Sequence, residues 1–295
     1  MALVCLSKLV NSGVNIVGVV PPDKSNPTYE FFSKFVESFN LKIIDYESSL
    51  KEQIFLTKVK ALEPDIAVVC SYNKLFPPEF LALTKDGFLN IHPSLLPEYR
   101  GGNPYSHVII NNEKETGVTL HFMNERFDEG DIVSQYKVNV EKFDTMGTLF
   151  NRLNYIAADA LLEALIYYEN NSLPRMVQKE GEFKKAPTLD IKLGNTIIDW
   201  NKSVEEIERF IRALNPFITA GTRYRGVYTK IYTSFVQKKK TKHEPGTICH
   251  IKDTIGVACS DGILHIKILQ VGSYVLGDAS DFVRVFRPSI GEKFE

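Results

Sequence analysis

A chain of 295 residues with 44% hydrophobic content is long enough for two cored domains and has the make-up of an ordinary soluble globular protein. Its formal net charge of −1 excludes a chain-wide polycation, so any nucleic-acid contact must come from a local patch. Cys5, Cys70, Cys249 and Cys259 show no Cys-x-x-Cys spacing and the six histidines are scattered, which excludes a zinc knuckle or a disulfide framework; no metal is expected and the thiols read as reduced, in the cytoplasm.

Met1 to Lys8 is apolar but short and interrupted by Lys8, and no later run approaches a membrane span, so neither export nor a membrane partner is expected. Leu3, Leu6, Leu9 and Val10 recur at helical spacing and stop at Asn11-Ser12-Gly13. Val14 to Val20 is a β-rich run closed by Pro21-Pro22. A helix is predicted from Thr28 to Asn40, a strand from Leu41 to Ile44, a helix from Leu50 to Leu62 and a strand from Asp65 to Cys70. Helices alternating with apolar strands argue for a parallel sheet covered on both faces, an α/β doubly wound fold.

Gly87-Phe88-Leu89-Asn90-Ile91-His92 reads as a strand, on which Asn90 and His92, two apart, share a face. Pro93 and Pro97 then force the chain to loop out where the strand ends, the place at which open α/β sheets hold ligands. Pro104 to Asn111 is a predicted helix, Gly117 to Met123 a strand, and Phe127-Asp128-Glu129-Gly130-Asp131 a turn rich in carboxylates. An Asn amide and a protonated His both donate to an oxyanion developing on a carbonyl, while a nearby Asp orients the His and collects a proton from an attacking amine. Acyl transfer to an amine then needs no covalent intermediate. Taken singly, each residue has a plainer reading: Asn90 in a turn hydrogen bond, His92 satisfied in the core, Asp128 capping a turn.

Thr145 to Glu169 is a long amphipathic helix, and Lys179 to Leu193, polar with Pro187 inside it, reads as a linker. Beyond it come Ile198-Asp199-Trp200, a helix from Ser203 to Leu214, Asn215-Pro216, and short strands separated by Gly226, Gly246, Gly256 and Gly262, a succession that suggests a small β-barrel. The domain reading is residues 1–190 and 191–295.

Asn90-Ile91-His92-Pro93-Ser94-Leu95-Leu96-Pro97, with Tyr99-Arg100-Gly101 and Asp128-Glu129-Gly130-Asp131 behind it, resembles the signature of the 10-formyltetrahydrofolate-dependent formyltransferases, a superfamily that includes methionyl-tRNA formyltransferase, sugar N-formyltransferases and glycinamide ribonucleotide transformylase. The resemblance implies a Rossmann-like catalytic domain, an OB-like C-terminal barrel and 10-formyltetrahydrofolate as formyl donor. By residue-wise matching it makes Asn90, His92 and Asp128 the catalytic trio. It places Tyr72, Asn73, Lys74, Leu75 and Phe76 on the loop that holds the pterin. Met123, Asn124, Glu125, Arg126 and Phe127 fall on the segment that closes over it. It also implies a strand and a glycine turn ahead of the first helix, whereas the chain starts almost directly in that helix; the first strand is either missing, from a shortened start, or replaced by another segment. Acceptor contacts made through that turn would be lost with it.

The trio fixes the reaction better than the acceptor. Where tRNA enzymes have a long basic loop after the second strand, this chain has Pro21-Pro22-Asp23-Lys24-Ser25-Asn26-Pro27, short and nearly neutral. Those enzymes also tend to Gly after the catalytic His and to Trp-Arg-Gly where Tyr99-Arg100-Gly101 stands. These departures favour a small acceptor, the primary amine of a nucleotide-linked amino sugar, with Ser94, Tyr99, Arg100, Gly101 and Tyr105 as acceptor-side candidates. Against that, residues 191–295 carry 16 Lys and Arg against 11 Asp and Glu, which keeps methionyl-tRNA as the alternative, although Lys238-Lys239-Lys240 reads first as a solvated hairpin tip. From another class, a folate-binding module without turnover is the remaining alternative. The oligomeric state, a homodimer among the options, is left open.

Overall fold

A computed structural model describes residues 1–46, 49–72, 75–275 and 277–295. Two compact units emerge: Met1–Pro104 with Glu115–Asn139 and Phe150–Lys185, and Tyr105–Lys114 with Val140–Leu149 and Ala186–Glu295.

In chain order the elements before the linker are α1 (Ala2–Asn11), α2 (Tyr29–Glu37), α3 (Gln53–Lys60), β1 (Ala67–Cys70), α4 (Pro78–Leu81), β2 (Phe88–His92), α5 (Pro104–Ile110), β3 (Glu115–Phe122), β4 (Ile132–Asn139) and α6 (Met146–Glu169). The sheet of the first unit runs β1-β2-β3-β4, with β1 parallel to β2 and the other two pairs antiparallel. β2 is its spine. Four of its five residues are buried, because it has a strand on each side and cover on its faces. β4 was not evident in advance, yet Ile132 to Asn139 alternates as a half-exposed edge strand should.

The α/β class and the separate C-terminal β-region are as the sequence predicts, but the described sheet is mixed rather than mostly parallel. The expected strands Val14 to Val20 and Leu41 to Ile44 meet only in a parallel bridge, Val19 to Ile43, made by Val19 N–H to the Lys42 carbonyl (2.8 Å) and Ile44 N–H to the Val19 carbonyl (2.9 Å). A run becomes a strand by being paired, and among the described residues no strand lies along the other edge of Val14 to Val20. An aromatic cluster of Tyr46, Phe55, Phe76, Phe80 and Phe88 packs beside β1 and β2, with successive rings about 5 Å apart.

After the linker come α7 (Val204–Leu214), β5 (Ala220–Tyr224), β6 (Val227–Gln237), β7 (Ile248–Ile251), β8 (Ile255–Ala258), β9 (Ile263–Val271), β10 (Tyr274–Val275) and α8 (Ala279–Phe286). α7 starts at Ser203 because of a capping box, Ser203 side chain to Glu206 N–H and Glu206 carboxylate to Ser203 N–H. Its buried Val204, Ile207, Ile211 and Leu214 recur every three or four residues and face the strands. Strand order is β5-β6-β9-β8-β7 with β10 beside β9. The ends of that path are tied by residues 293 and 294, which bridge Thr247 and Tyr224, so the sheet curls into the expected barrel. α8, capped by the Asp278 carboxylate on two backbone N–H groups, is a helix the barrel reading did not anticipate.

Candidate active site

The site is assembled where β2 stops. Asn90 pairs across the ladder with His121 of β3, and the amide nitrogen Nδ2 of Asn90 lies 3.0 Å from His121 Nε2. His121 Nδ1 is 2.9 Å from the Phe122 carbonyl, so that nitrogen carries a proton and donates, which leaves Nε2 as the acceptor of an Asn90 N–H. The amide is thereby held with its second N–H open to a ligand oxygen.

His92, two residues on, is buried and donates from Nε2 to the Tyr99 carbonyl at 2.9 Å, while Nδ1 faces Asp128 Oδ1 at 3.5 Å. Burial pulls the His92 pKa below the ordinary histidine value, more strongly than Asp128 and the Tyr99 carbonyl raise it. Asp128 Oδ2 accepts from Gly101 N–H at 3.0 Å, and Oδ1 also lies 3.7 Å from His121 Nε2. Burial pushes the Asp128 carboxyl up, but His121, His92 and the Gly101 N–H together outweigh it and hold it below its usual value. It is lowered because the Gly101 N–H donates to it and because the positive charge that the neighbouring imidazoles take on when protonated favours its ionised form.

Two non-glycine residues here have left-handed backbone, Tyr99 (φ 62) and Asp128 (φ 56). Each costs about 1 kcal/mol or more, and each aims its functional group, a carbonyl and a carboxylate, at the same imidazole. The Tyr99 loop is fastened by Thr119 Oγ1 to the Ser94 carbonyl (2.6 Å), Leu96 N–H to Thr119 Oγ1 (3.1 Å) and Gln135 Nε2 to the Leu96 carbonyl (2.8 Å). The Asp128 turn is fastened by Gln178 Nε2, which donates to the carbonyls of Asp128 and Gly130, each at 2.8 Å. Gln178 also accepts from Arg100 Nη2 at 2.6 Å, and Arg100 Nη1 pairs with Glu129 at 3.3 Å. His121 and Gln178 are the members of this cluster that the sequence did not single out. A polar ring at an inward position of an apolar strand was the available signal for His121; Gln178, just ahead of the polar linker, had none.

The sequence-predicted residues divide as follows. Asn90, His92 and Asp128 come together around one point. Tyr72, Phe76 and Met123 share one wall, Met123 N–H reaching back to the Phe88 carbonyl at 2.7 Å. Asn73 and Lys74 lie outside the described residues. Leu75 is exposed, as are Asn124, Glu125, Arg126 and Phe127 on the neighbouring rim. Ser94 does not fit an acceptor role: it is fully buried and spends its hydroxyl on the Glu98 carbonyl at 2.6 Å. Tyr99 and Tyr105 are likewise buried, at 5% and 9% exposure, so their rings pack rather than present themselves. Arg100 and Gly101 stay beside the carboxylate. Among the described residues there is no cluster of three or more His, Cys, Asp or Glu able to hold a metal, and no helix long and apolar enough to cross a membrane.

A mixed α/β sheet that brings an amide, an imidazole and a carboxylate to the end of one strand, followed by an antiparallel barrel, defines a group-transfer enzyme. The chain belongs to the formyl transferase family: residues 3–165 match the formyl transferase model and residues 190–287 the model of the formyl transferase C-terminal domain. It is 35% identical over 94% of its length, and 94% of theirs, to the methionyl-tRNA formyltransferase of Clostridioides difficile, and 34% identical, with the same coverage, to that of Alkaliphilus oremlandii. In fold it is similar to an N-formyltransferase from Helicobacter canadensis solved with folinic acid and dTDP-3-aminofucose (TM-score 0.69, 20% identity, 90% of this chain and 94% of that one). It is also similar to HypX from Aquifex aeolicus solved with tetrahydrofolic acid (TM-score 0.65, 17% identity, 94% of this chain); there it spans about half of the longer protein, 48%.

Proposed function

We propose that the chain transfers a formyl group from 10-formyltetrahydrofolate to the amine of methionyl-tRNA. The observation that carries this is identity of a third or more, end to end, to enzymes of that name, which supports the tRNA acceptor over the amino sugar that the short loop at Pro21 to Pro27 favours. In this reading residues 1–190 hold the chemistry.

The donor supplies, when bound, an activated formyl carbon on nitrogen. The wall of Tyr72, Phe76 and Met123 suits its flat heterocycle, since it is apolar and aromatic and lies beside the strand that carries Asn90. Asn90 donates its open N–H to the carbonyl oxygen, where negative charge grows as the amine adds. His92, whose Nε2 is held on the Tyr99 carbonyl, acts from Nδ1: as an imidazolium stabilised by Asp128 it hands that proton to the departing nitrogen. Asp128, ionised near neutral pH, accepts the proton that the ammonium must lose before it attacks, and passes it through water to a stronger base.

The amino-sugar reading rests on that short, nearly neutral loop and on the fold-level likeness to sugar N-formyltransferases. A panel decides between them: 10-formyltetrahydrofolate offered with charged initiator tRNA and, separately, with several nucleotide-linked amino sugars. Formyl transfer to methionyl-tRNA is the expected result; transfer to a sugar nucleotide alone would replace the tRNA reading.

A further inference from the structure

A single stretch of chain grips both ends of the His92 ring at one remove. It covers residues 176–185 and is exposed for most of its length, yet Gln178 within it is buried, at 7% exposure, between exposed Val177 and Lys179. An amide is buried at little cost only when its donors and its acceptor are met. Here all are met: Nε2 donates to the carbonyls of Asp128 and Gly130, and Oε1 accepts from Arg100 Nη2. No other orientation of the amide serves, since the two carbonyls only accept and the guanidinium only donates. Just ahead of it, Met176 pairs with Ile132 through hydrogen bonds of 2.8 and 2.9 Å, which fixes the stretch along the start of β4.

Further along, the stretch makes a second hold. The Lys184 carbonyl accepts the Tyr99 N–H at 2.6 Å, the Lys184 N–H donates to Glu98 Oε2 at 2.9 Å, and Arg100 and Lys185 form a parallel bridge. The two holds fall on the two site residues with left-handed backbone, and these are the residues that meet the ring: Tyr99 puts its carbonyl on Nε2, and Asp128 its carboxylate beside Nδ1. A strained backbone persists only where its surroundings over-determine it. Neither hold touches a reacting atom, so what they govern is where that carbonyl and that carboxylate stand.

We infer, on the formyl-transfer role given to His92 above, that residues 176–185 are a positioning strap for its imidazole, with Gln178 as the principal residue: through Asp128 the strap sets the partner of Nδ1, and through Tyr99 the partner of Nε2. Among the described residues, the charged and titratable groups that face the ring are Asp128, His121 and Arg100, with the Tyr99 carbonyl beside them. Asp128 and that carbonyl favour the protonated ring, each more strongly than His121 or Arg100 opposes it. Loosening either hold therefore makes the ring harder to protonate, and the acid that meets the departing nitrogen scarcer.

The test combines nuclear magnetic resonance on the full chain, isotope-labelled in its histidine nitrogens, with kinetics of formyl transfer to methionyl-tRNA; the His92 signals are those absent from His92→Asn. Gln178→Met keeps the length of the side chain and loses its donors and acceptor. Glu98→Ala removes the acceptor of the Lys184 N–H, and Glu98→Gln keeps one. The expected result is a His92 titration midpoint lower by about 0.5 or more in Gln178→Met and Glu98→Ala, and parental in Glu98→Gln. In Gln178→Met kcat falls by about tenfold or more while KM for folate stays within about twofold. Placed on Asp128→Asn, the same substitution costs little further, because the carboxylate it aims is gone. An unmoved midpoint in both loosened variants, a KM that rises while kcat holds, or full additivity with Asp128→Asn would overturn the proposal. Should Gln178→Met fail to fold, the midpoints of the two Glu98 variants decide it. A parent that gives methionyl-tRNA no formyl group defeats the acceptor reading alone, and the midpoints still decide the strap.

Discussion

Asp128 Oδ1 stands 3.5 Å from His92 Nδ1 while the opposite ring nitrogen, Nε2, stands 2.9 Å from the Tyr99 carbonyl. With Nε2 committed as a donor, a neutral ring turns its lone pair towards a carboxylate, and only the imidazolium satisfies both neighbours. Burial opposes that charge, so the ring is poised between forms, as a group that gives and regains a proton should be.

Asp128→Asn keeps the acceptor for Gly101 N–H but removes the charge that favours the imidazolium. Turnover is expected to fall by about a hundredfold or more, across the whole pH range and without recovery at high pH, while folate affinity changes little. If Asp128 served only to cap its turn, Asn would restore nearly full activity, because Asn caps as well as Asp. A pH–rate profile of parent and variant separates the two.

The same ring makes stability depend on pH. The folded-state pKa of His92 lies below its unfolded value near 6.5, so the unfolded chain binds more protons in the interval between them. This contribution is fully present above about pH 6.5 and is lost as pH falls towards the folded pKa. Asp128, also depressed, adds a second loss at lower pH, below about 4. Thermal melts from pH 7.5 down to 5 should therefore show a fall in Tm that is smaller in His92→Asn; an identical fall in both would remove His92 as its source.

His121 is assigned a positioning role, since it accepts from the Asn90 amide without being needed at the reacting atoms. His121→Ala frees that amide to rotate. The expected effect is a kcat lower by about tenfold at nearly unchanged KM for folate, against a hundredfold for Asn90→Ala, which loses an oxyanion donor worth about 3 kcal/mol. A His121→Ala enzyme whose KM rises while kcat holds would point to a structural role instead.

Why the trio was legible and its supports were not follows from the kind of signal each leaves. Asn90 and His92 sit two apart on a strand that stops at a proline, so local periodicity alone puts them on one face. His121 reaches them through strand pairing, and Gln178 through a loop 48 residues from the Gly130 carbonyl it holds, relations that no local pattern encodes. Ser94, Tyr99 and Tyr105 show the complementary ambiguity: all three are buried, and a polar or aromatic residue next to a site is as readily the loop's own fastening. The runs Val14 to Val20 and Leu41 to Ile44, read as strands, meet only in the Val19–Ile43 bridge, because whether such a run enters a ladder depends on its neighbours.

Gly130 gives a stability test of the Asp128 turn. A Cβ at this position would run into the Phe122 carbonyl, which is backbone and cannot step aside. Gly130→Ala should therefore cost about 2 kcal/mol or more and lower turnover as well, since the displaced turn carries the carboxylate. Ser203→Ala, which breaks the α7 capping box, should cost about 1 kcal/mol and leave turnover alone. Denaturant melts with activity assays on both variants check the contrast, and a Gly130→Ala protein of parental stability would refute the close approach.

The acceptor is tested most sharply by salt. A tRNA held through several phosphates releases counterions on binding, so log affinity falls linearly with log salt, by about 0.7–0.9 for each phosphate neutralised. A nucleotide-linked sugar carries few phosphates and gives a shallow slope. The basic excess lies in residues 191–295, 16 Lys and Arg against 11 Asp and Glu. Within it Lys238 is already paired with Glu205 at 2.8 Å, which leaves Lys239 and Lys240 as the better candidates for phosphate contact. If methionyl-tRNA is the acceptor, its KM should rise steeply between 50 and 200 mM salt, the range over which multi-phosphate contacts weaken by orders of magnitude. Lys239→Ser with Lys240→Ser should raise KM for tRNA and flatten the slope by about one to two units, with KM for folate unchanged. If those lysines are only a solvated hairpin tip, the double variant keeps the parental slope while tRNA still binds, and the contacts lie elsewhere. A parent enzyme whose tRNA kinetics ignore salt would instead count against a phosphate-backbone acceptor altogether and return the short, neutral loop at Pro21 to Pro27 to the centre of the argument.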